Sequence, residues 1–108
     1  MTDILKIGNV EVSPNSSAKG AIATGKGFDG RQSEIPILVC RGGENGPILW
    51  LNGATHGDEP EGAFSIFKTF DWLEHSLVRG TVVGVPAMNV PAFEAGKRGD
   101  PLDGFTYD

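Results

Sequence analysis

The chain is poor in the residues that make many functional sites: one cysteine, two histidines and one tyrosine in 108 residues. A single cysteine, Cys40, excludes an internal disulfide and fits a reducing compartment. There is no basic run to neutralise phosphates, and a formal charge of −5 argues against a nucleic-acid partner. No stretch approaches the roughly 18 apolar residues of a membrane span, and the N-terminus has no apolar signal core. No repeat or low-complexity tract stands out beyond the glycine-rich segment from Gly20 to Gly30. These absences leave a single soluble domain, expected in the cytoplasm, with no membrane contact.

Glycine is what the sequence has in excess, 16 residues with 7 prolines, and this implies many turns and short elements. "ILKIGNVEV" alternates loosely, as one or two short strands would. "SPNSSAKG" has the composition of a loop. Ile35–Cys40 and Pro47–Asn52 are β-rich runs flanking "RGGENG", the pattern of a hairpin or tight connection. "PILWLNGA" is apolar at consecutive positions, which predicts a strand covered on both faces with Trp50 in the core. Ala63, Ile66, Phe67, Phe70, Leu73 and Leu77 recur at spacings of three and four, so a helix is predicted from about Pro60 to Leu77. Trp72 lies off that stripe and is expected half exposed. "GTVVGVPAMNVPAF" then gives a strand ending near Pro86. Strand, helix, strand in this order predicts a right-handed βαβ crossover and a parallel sheet. The tail from Glu94, "EAGKRGDPLDGFTYD", reads as loop.

Two phosphate-binding patterns fail on context. "GAIATGKG" has Gly27 where a P-loop needs Ser or Thr, and "GKGFDG" precedes a predicted strand instead of a helix. Both are read as a flexible loop before a strand.

"GATHGDEPEG", Gly53 to Gly62, is different: a histidine and three acids in ten residues, directly after an apolar strand. Loops beyond the carboxyl ends of strands are where open α/β sheets bind ligands. Pro60 disfavours a helical Glu59, so His56 and Glu59 are not neighbours on a helix face. A loop can still turn both toward one point, and imidazole nitrogen with carboxylate oxygen suits Zn²⁺, whose catalytic sites use three protein ligands and a water. The competing account is that Asp58 or Glu59 caps the helix and His56 is a surface residue. Asp58 stands as a cap or as a support for the ligands. His75 would lie about 24 Å from Glu59 along the helix and cannot complete a site with it; near the helix C-terminus it favours the dipole. Cys40, in an apolar strand, is expected in the core. Taken alone, Arg98 and Lys97 in "GKRGDP" read as solvated loop residues.

"GPILWLNGATHGDEPEG" followed by "RGTVVGVPAMNVPAFEAGKRGDPLDGFTYD" resembles the succinylglutamate desuccinylase/aspartoacylase family, zinc deacylases related to the metallocarboxypeptidases. The resemblance runs from about Ile35 to Asp108. It implies an α/β fold, part of a zinc-carboxypeptidase-like mixed sheet with flanking helices around a βαβ core. It implies that His56 and Glu59 are the first two ligands of a single Zn²⁺. It also implies that Arg98 polarises the scissile carbonyl and that Asn89 is scaffolding for the site. The implied reaction is hydrolysis of an N-acyl amide of a small, amino-acid-like substrate. In relatives the chain continues through an Asp-(Leu/Met)-Asn-Arg signature, then a third histidine ligand and a general-base glutamate, none of which is present. The expectation is therefore residues 1–108 as the N-terminal portion of a catalytic domain, with 1–34 a strand and loop lead-in and 35–108 the sheet and first metal-ligand loop. Such a truncated piece would be inactive alone and would self-associate through an exposed sheet edge. The alternative is a non-catalytic binding or interaction domain that keeps the loop.

Overall fold

A computed structural model describes residues 4–27 and 29–106. Six strands and two helices follow one another as β1 (Leu5–Ile7), β2 (Val10–Val12), β3 (Ser16–Lys26), β4 (Gln32–Arg41), β5 (Glu44–Asn52), α1 (Glu61–Leu73), β6 (Arg79–Val85) and α2 (Val90–Ala95). The first two strands form a small antiparallel hairpin, and the other four make a mixed sheet in the order β3-β4-β6-β5. β4 is antiparallel to both β3 and β6, whereas β5 and β6 run parallel, joined by α1. The βαβ unit read from the element order is thus present, but the sheet is not parallel throughout: only β5 and β6 run parallel, and the sheet is mixed as the family resemblance implied.

Alternation along β4 sorts the core into two layers, because successive side chains point to opposite faces. Ile37 and Val39 join Val83, Val85, Val10 and Val12 under the β1–β2 hairpin. Leu38 and Cys40 join Val82 and the helix residues Ile66, Phe70 and Leu73 on the other face. Burying each such aliphatic or aromatic side chain stabilises by about 1.5–3 kcal/mol. Cys40 lies where its apolar neighbours predicted.

Several local expectations are overturned. The segment read as loop from Ser16 through the glycine-rich stretch is mostly β3, paired with β4 from Ser16↔Arg41 to Lys26↔Gln32. Backbone ladder bonds order this outer strand, with Ala18 and Ile22 alone packing against the core; Phe28 of "GKGFDG" lies outside the described residues. "RGGENG" is the tight connection and not the hairpin of the two readings: only Gly42 and Gly43 separate β4 from β5, but β6 pairs between them. β5 is not covered on both faces: Ile48 and Leu49 are each 55% exposed and Trp50 46%. Among the described strands it pairs with β6 alone, and of its apolar residues Leu51 is the one that packs against the cluster under α1. Trp50 is therefore not a core residue, while Trp72 is exposed.

The long helix stops at Leu73, four residues before the predicted end, and His75 falls in the turn that follows, its N–H donating to the Trp72 carbonyl. α2 was not expected. The tail from Gly96 to Thr106 is turn and loop, and Tyr107 and Asp108 lie outside the described residues. Among the described residues no helix is long and apolar enough to cross a membrane.

Candidate metal-ligand loop

Because β5 and β6 are parallel, their carboxyl ends lie side by side, and the loops that follow them meet. Backbone hydrogen bonds seam the two loops together. Gly53 donates to the Val85 carbonyl at 2.8 Å, Met88 donates to Gly53 at 3.0 Å, and Asn89 donates to Ala54 at 3.4 Å. Ala54, buried, turns the chain off the strand at φ +44°, a left-handed conformation that costs a residue with a Cβ and is held only by surrounding structure. At the same turn a Cβ on Gly53 would lie 2.8 Å from the Gly62 carbonyl carbon, so the strand end and the first turn of α1 can touch only through glycine.

Beyond this turn His56 and Glu59 face each other. Glu59 donates its N–H to the His56 carbonyl at 3.1 Å, and His56 Nδ1 stands 3.2 Å from Glu59 Oε2. The His56 side chain is 17% exposed and that of Glu59 61%, so an imidazole held by the loop meets a carboxylate open to solvent. α1 begins after Pro60, which occupies the N-cap with no side-chain capping bond. The capping role offered for Asp58 or Glu59 is accordingly not found: proline sits at the cap with no side-chain bond to it, and Asp58 is exposed.

Arg98 lies on the second loop. Its backbone carbonyl accepts the Gly57 N–H at 3.3 Å, while the residue as a whole is exposed. Lys97 is exposed too. Asn89, 5% exposed, caps α2: its Oδ1 accepts the Ala92 N–H at 3.4 Å and its Nδ2 donates to the Phe105 carbonyl at 3.1 Å. Asn89 also lines a groove of about 650 Å³ running between α2 and the β3–β4 turn, a groove that does not include His56 or Glu59. His75 lies past the opposite end of α1, and Cys40 is in the core. Among the described residues no group of three His, Cys, Asp or Glu side chains stands together as a metal site. The structure thus brings the His56–Glu59 loop and the Asn89–Arg98 segment together. Sequence reading passed over Gly57, because its contacts appear only once α2 is placed.

Residues 45–104 match the succinylglutamate desuccinylase/aspartoacylase catalytic domain. The chain belongs to this family. It is 46% identical over 70 residues to the N-alpha-acetyl-L-2,4-diaminobutyric acid deacetylase of Halomonas elongata, a match that takes in 65% of this chain and 20% of that relative. Its fold is similar to the product-bound ectoine utilization protein EutE (DoeB) from Ruegeria pomeroyi, with a TM-score of 0.79 and 29% identity over 98% of this chain and 33% of the other. A succinylglutamate desuccinylase/aspartoacylase from Rhodobacter sphaeroides gives a TM-score of 0.66 at 33% identity, covering 83% of this chain and 29% of that one. The chain therefore spans a fifth of the length of the curated relative and about a third of the solved ones.

Proposed function

We propose that the chain carries part of the active site of a zinc-dependent deacylase that hydrolyses the amide of a small N-acylated amino acid. The observation that carries this reading is the approach of His56 Nδ1 to Glu59 Oε2 at the carboxyl end of β5, in a family of deacylases. An imidazole nitrogen and a carboxylate oxygen on one turn are a donor pair suited to zinc. Two donors are short of the three a catalytic zinc takes, and among the described residues no third stands with them. When bound, zinc supplies a Lewis acid and lowers the pKa of a water toward about 7.

The chain's own residues have separate tasks. His56 and Glu59 hold the metal, and Asp58 supports that turn. Arg98 offers a planar guanidinium with several donors, which stabilises negative charge developing on the acyl oxygen or binds a substrate carboxylate. Asn89 fixes α2 and thereby the loop that carries Arg98. The Halomonas relative is named for an N-acetylated diamino acid, so acetyl amides of that class are the first substrates to test. The expected cellular site is the cytoplasm.

Metal content decides between this reading and a non-catalytic interaction domain, which the exposed Ile48, Leu49 and Trp50 would suit. Protein purified from its own cells without chelators is expected to contain zinc, and His56→Ala to lose it together with turnover. Zinc content and turnover unchanged by His56→Ala would remove His56 from the ligand set. Native protein without zinc would favour the interaction domain.

A further inference from the structure

Gly57 sits between His56 and Asp58, buried, with no side chain to offer. A Cβ built there would lie 2.1 Å from the Ala92 carbonyl carbon, 2.2 Å from the Ala92 oxygen and 2.3 Å from the Lys97 oxygen. All three are backbone atoms of the end of α2 and the turn after it, so no rotamer change relieves the overlap. Next to this contact the Gly57 N–H donates to the Arg98 carbonyl. The turn is built to keep that carbonyl in place: Gly96 closes α2 in the left-handed region at φ +66°, and Lys97 donates its N–H to Ala92 at 2.9 Å.

We propose that Gly57 is a positioning residue, a backbone clamp that fixes the spacing between the His56–Glu59 turn and the Arg98 loop. The clamp rests on the reading of those residues as one site. Its physical content is separate: two loops distant in sequence touch backbone to backbone, and any Cβ at position 57 pushes them apart. The residues on either side of the seam are the ones whose relative placement the chemistry would require. Misplacement of catalytic groups by about 1 Å can cost about a hundredfold in rate. No side chain reports this requirement, which is why the glycine looks like a mere turn residue.

The test uses amide NMR of the chain, first metal-free and then with Co²⁺ as a paramagnetic probe. Gly57→Ala is expected to keep the β3–β4 resonances while shifting those of Ala92 to Arg98. Amide exchange at residue 57 should rise roughly fivefold to tenfold, the loss of one backbone hydrogen bond. With Co²⁺ bound at His56 and Glu59, the Arg98 amide is expected to broaden in the parent chain and much less in Gly57→Ala, while residues 55–59 broaden in both. If Gly57→Ala does not fold, Gly96→Ala takes its place, because a Cβ there meets nothing within 4 Å and only strains the turn that presents the Arg98 carbonyl. Unchanged exchange at residue 57 in the variant would overturn the clamp, as would unchanged shifts across 92–98 in Gly57→Ala. Failure of Co²⁺ to broaden residues 55–59 in the parent would mean that two donors do not hold the ion in this chain, and the metal-free shifts and exchange would still decide the clamp.

Discussion

Leu49 and Val82 stand opposite each other in the parallel β5–β6 ladder, yet Leu49 is 55% exposed and Val82 only 7%. One strand is in the middle of the sheet and the other is its edge. Among the described strands β5 pairs on one side only, and it carries three large exposed apolar side chains alternating between its faces, a template for adding another strand. Ile48, Leu49 and Trp50 are each about half buried already, so covering the rest would return about 1 kcal/mol each. The chain is expected to self-associate, with a sedimentation coefficient that rises with concentration and returns to the monomer value in Leu49→Lys. A compact monomer at every concentration would show that the edge is protected.

The same edge explains where the sequence misled. Consecutive apolar residues in "PILWL" correctly announced a strand, but burial depends on neighbours that the strand itself does not encode. α1 was legible because Ala63, Ile66, Phe70 and Leu73 repeat at helical spacing and all four are buried. β3 was not, since in Ser16–Lys26 only Ala18 and Ile22 pack against the core, among serines, lysines and glycines, and the ladder with β4 does the rest. α2 is six residues long, too short for periodicity, although Asn89 before "VP" was a readable start signal. His56 and Glu59 were legible as a pair on a strand-to-helix loop. That Arg98 comes to the same loop was implied by family likeness, and the physical cause, the Gly57 contact, required the fold.

Cys40 gives a pH-dependent prediction. Its side chain is packed between the sheet and α1, and burial pushes the thiol pKa above its ordinary value, with the charge of Glu74 adding to the effect. A raised folded-state pKa means that the neutral thiol's contribution is fully present below the unfolded value, near 9.0, and is lost as pH rises through the folded value. Stability should therefore fall on the alkaline side, and Cys40→Ala should flatten that slope while lowering stability at neutral pH. Denaturant titrations at several pH values check it. Thiol reagents at pH 8 are expected to react with the native chain only at the rate at which it opens.

Arg41 is buried at 7% exposure, and its Nη1 donates to the Val12 carbonyl at 2.8 Å. This bond ties the β1–β2 hairpin to the sheet at the point where Val12 enters the core. Arg41→Met keeps much of the apolar stem but leaves a buried carbonyl short of a charged donor, a loss of about 1.5–3 kcal/mol. Hydrogen exchange should accelerate first in β1 and β2 and leave the β4–β6 ladder protected. Equal acceleration throughout would mean that the hairpin and the sheet open as one unit.

Asn89 makes two bonds with opposite polarity, and substitutions can separate them. Its Oδ1 accepts the Ala92 N–H, the capping bond of α2, and its Nδ2 donates to the Phe105 carbonyl and so holds the tail. Asn89→Ala removes both and should cost about 1–2 kcal/mol, the usual range for a lost cap together with its neighbours. Asn89→Asp keeps an acceptor for Ala92 and gains a charge favourable to a helix N-terminus, but it faces the Phe105 carbonyl with a carboxylate and repels it. The aspartate variant is therefore expected to keep α2 ordered and release the tail, whereas the alanine variant loosens both. Amide exchange at Ala92 and at the residues around Phe105 distinguishes the two. If both variants released α2 equally, the tie to Phe105 and not the cap would be what holds the Arg98 loop in place.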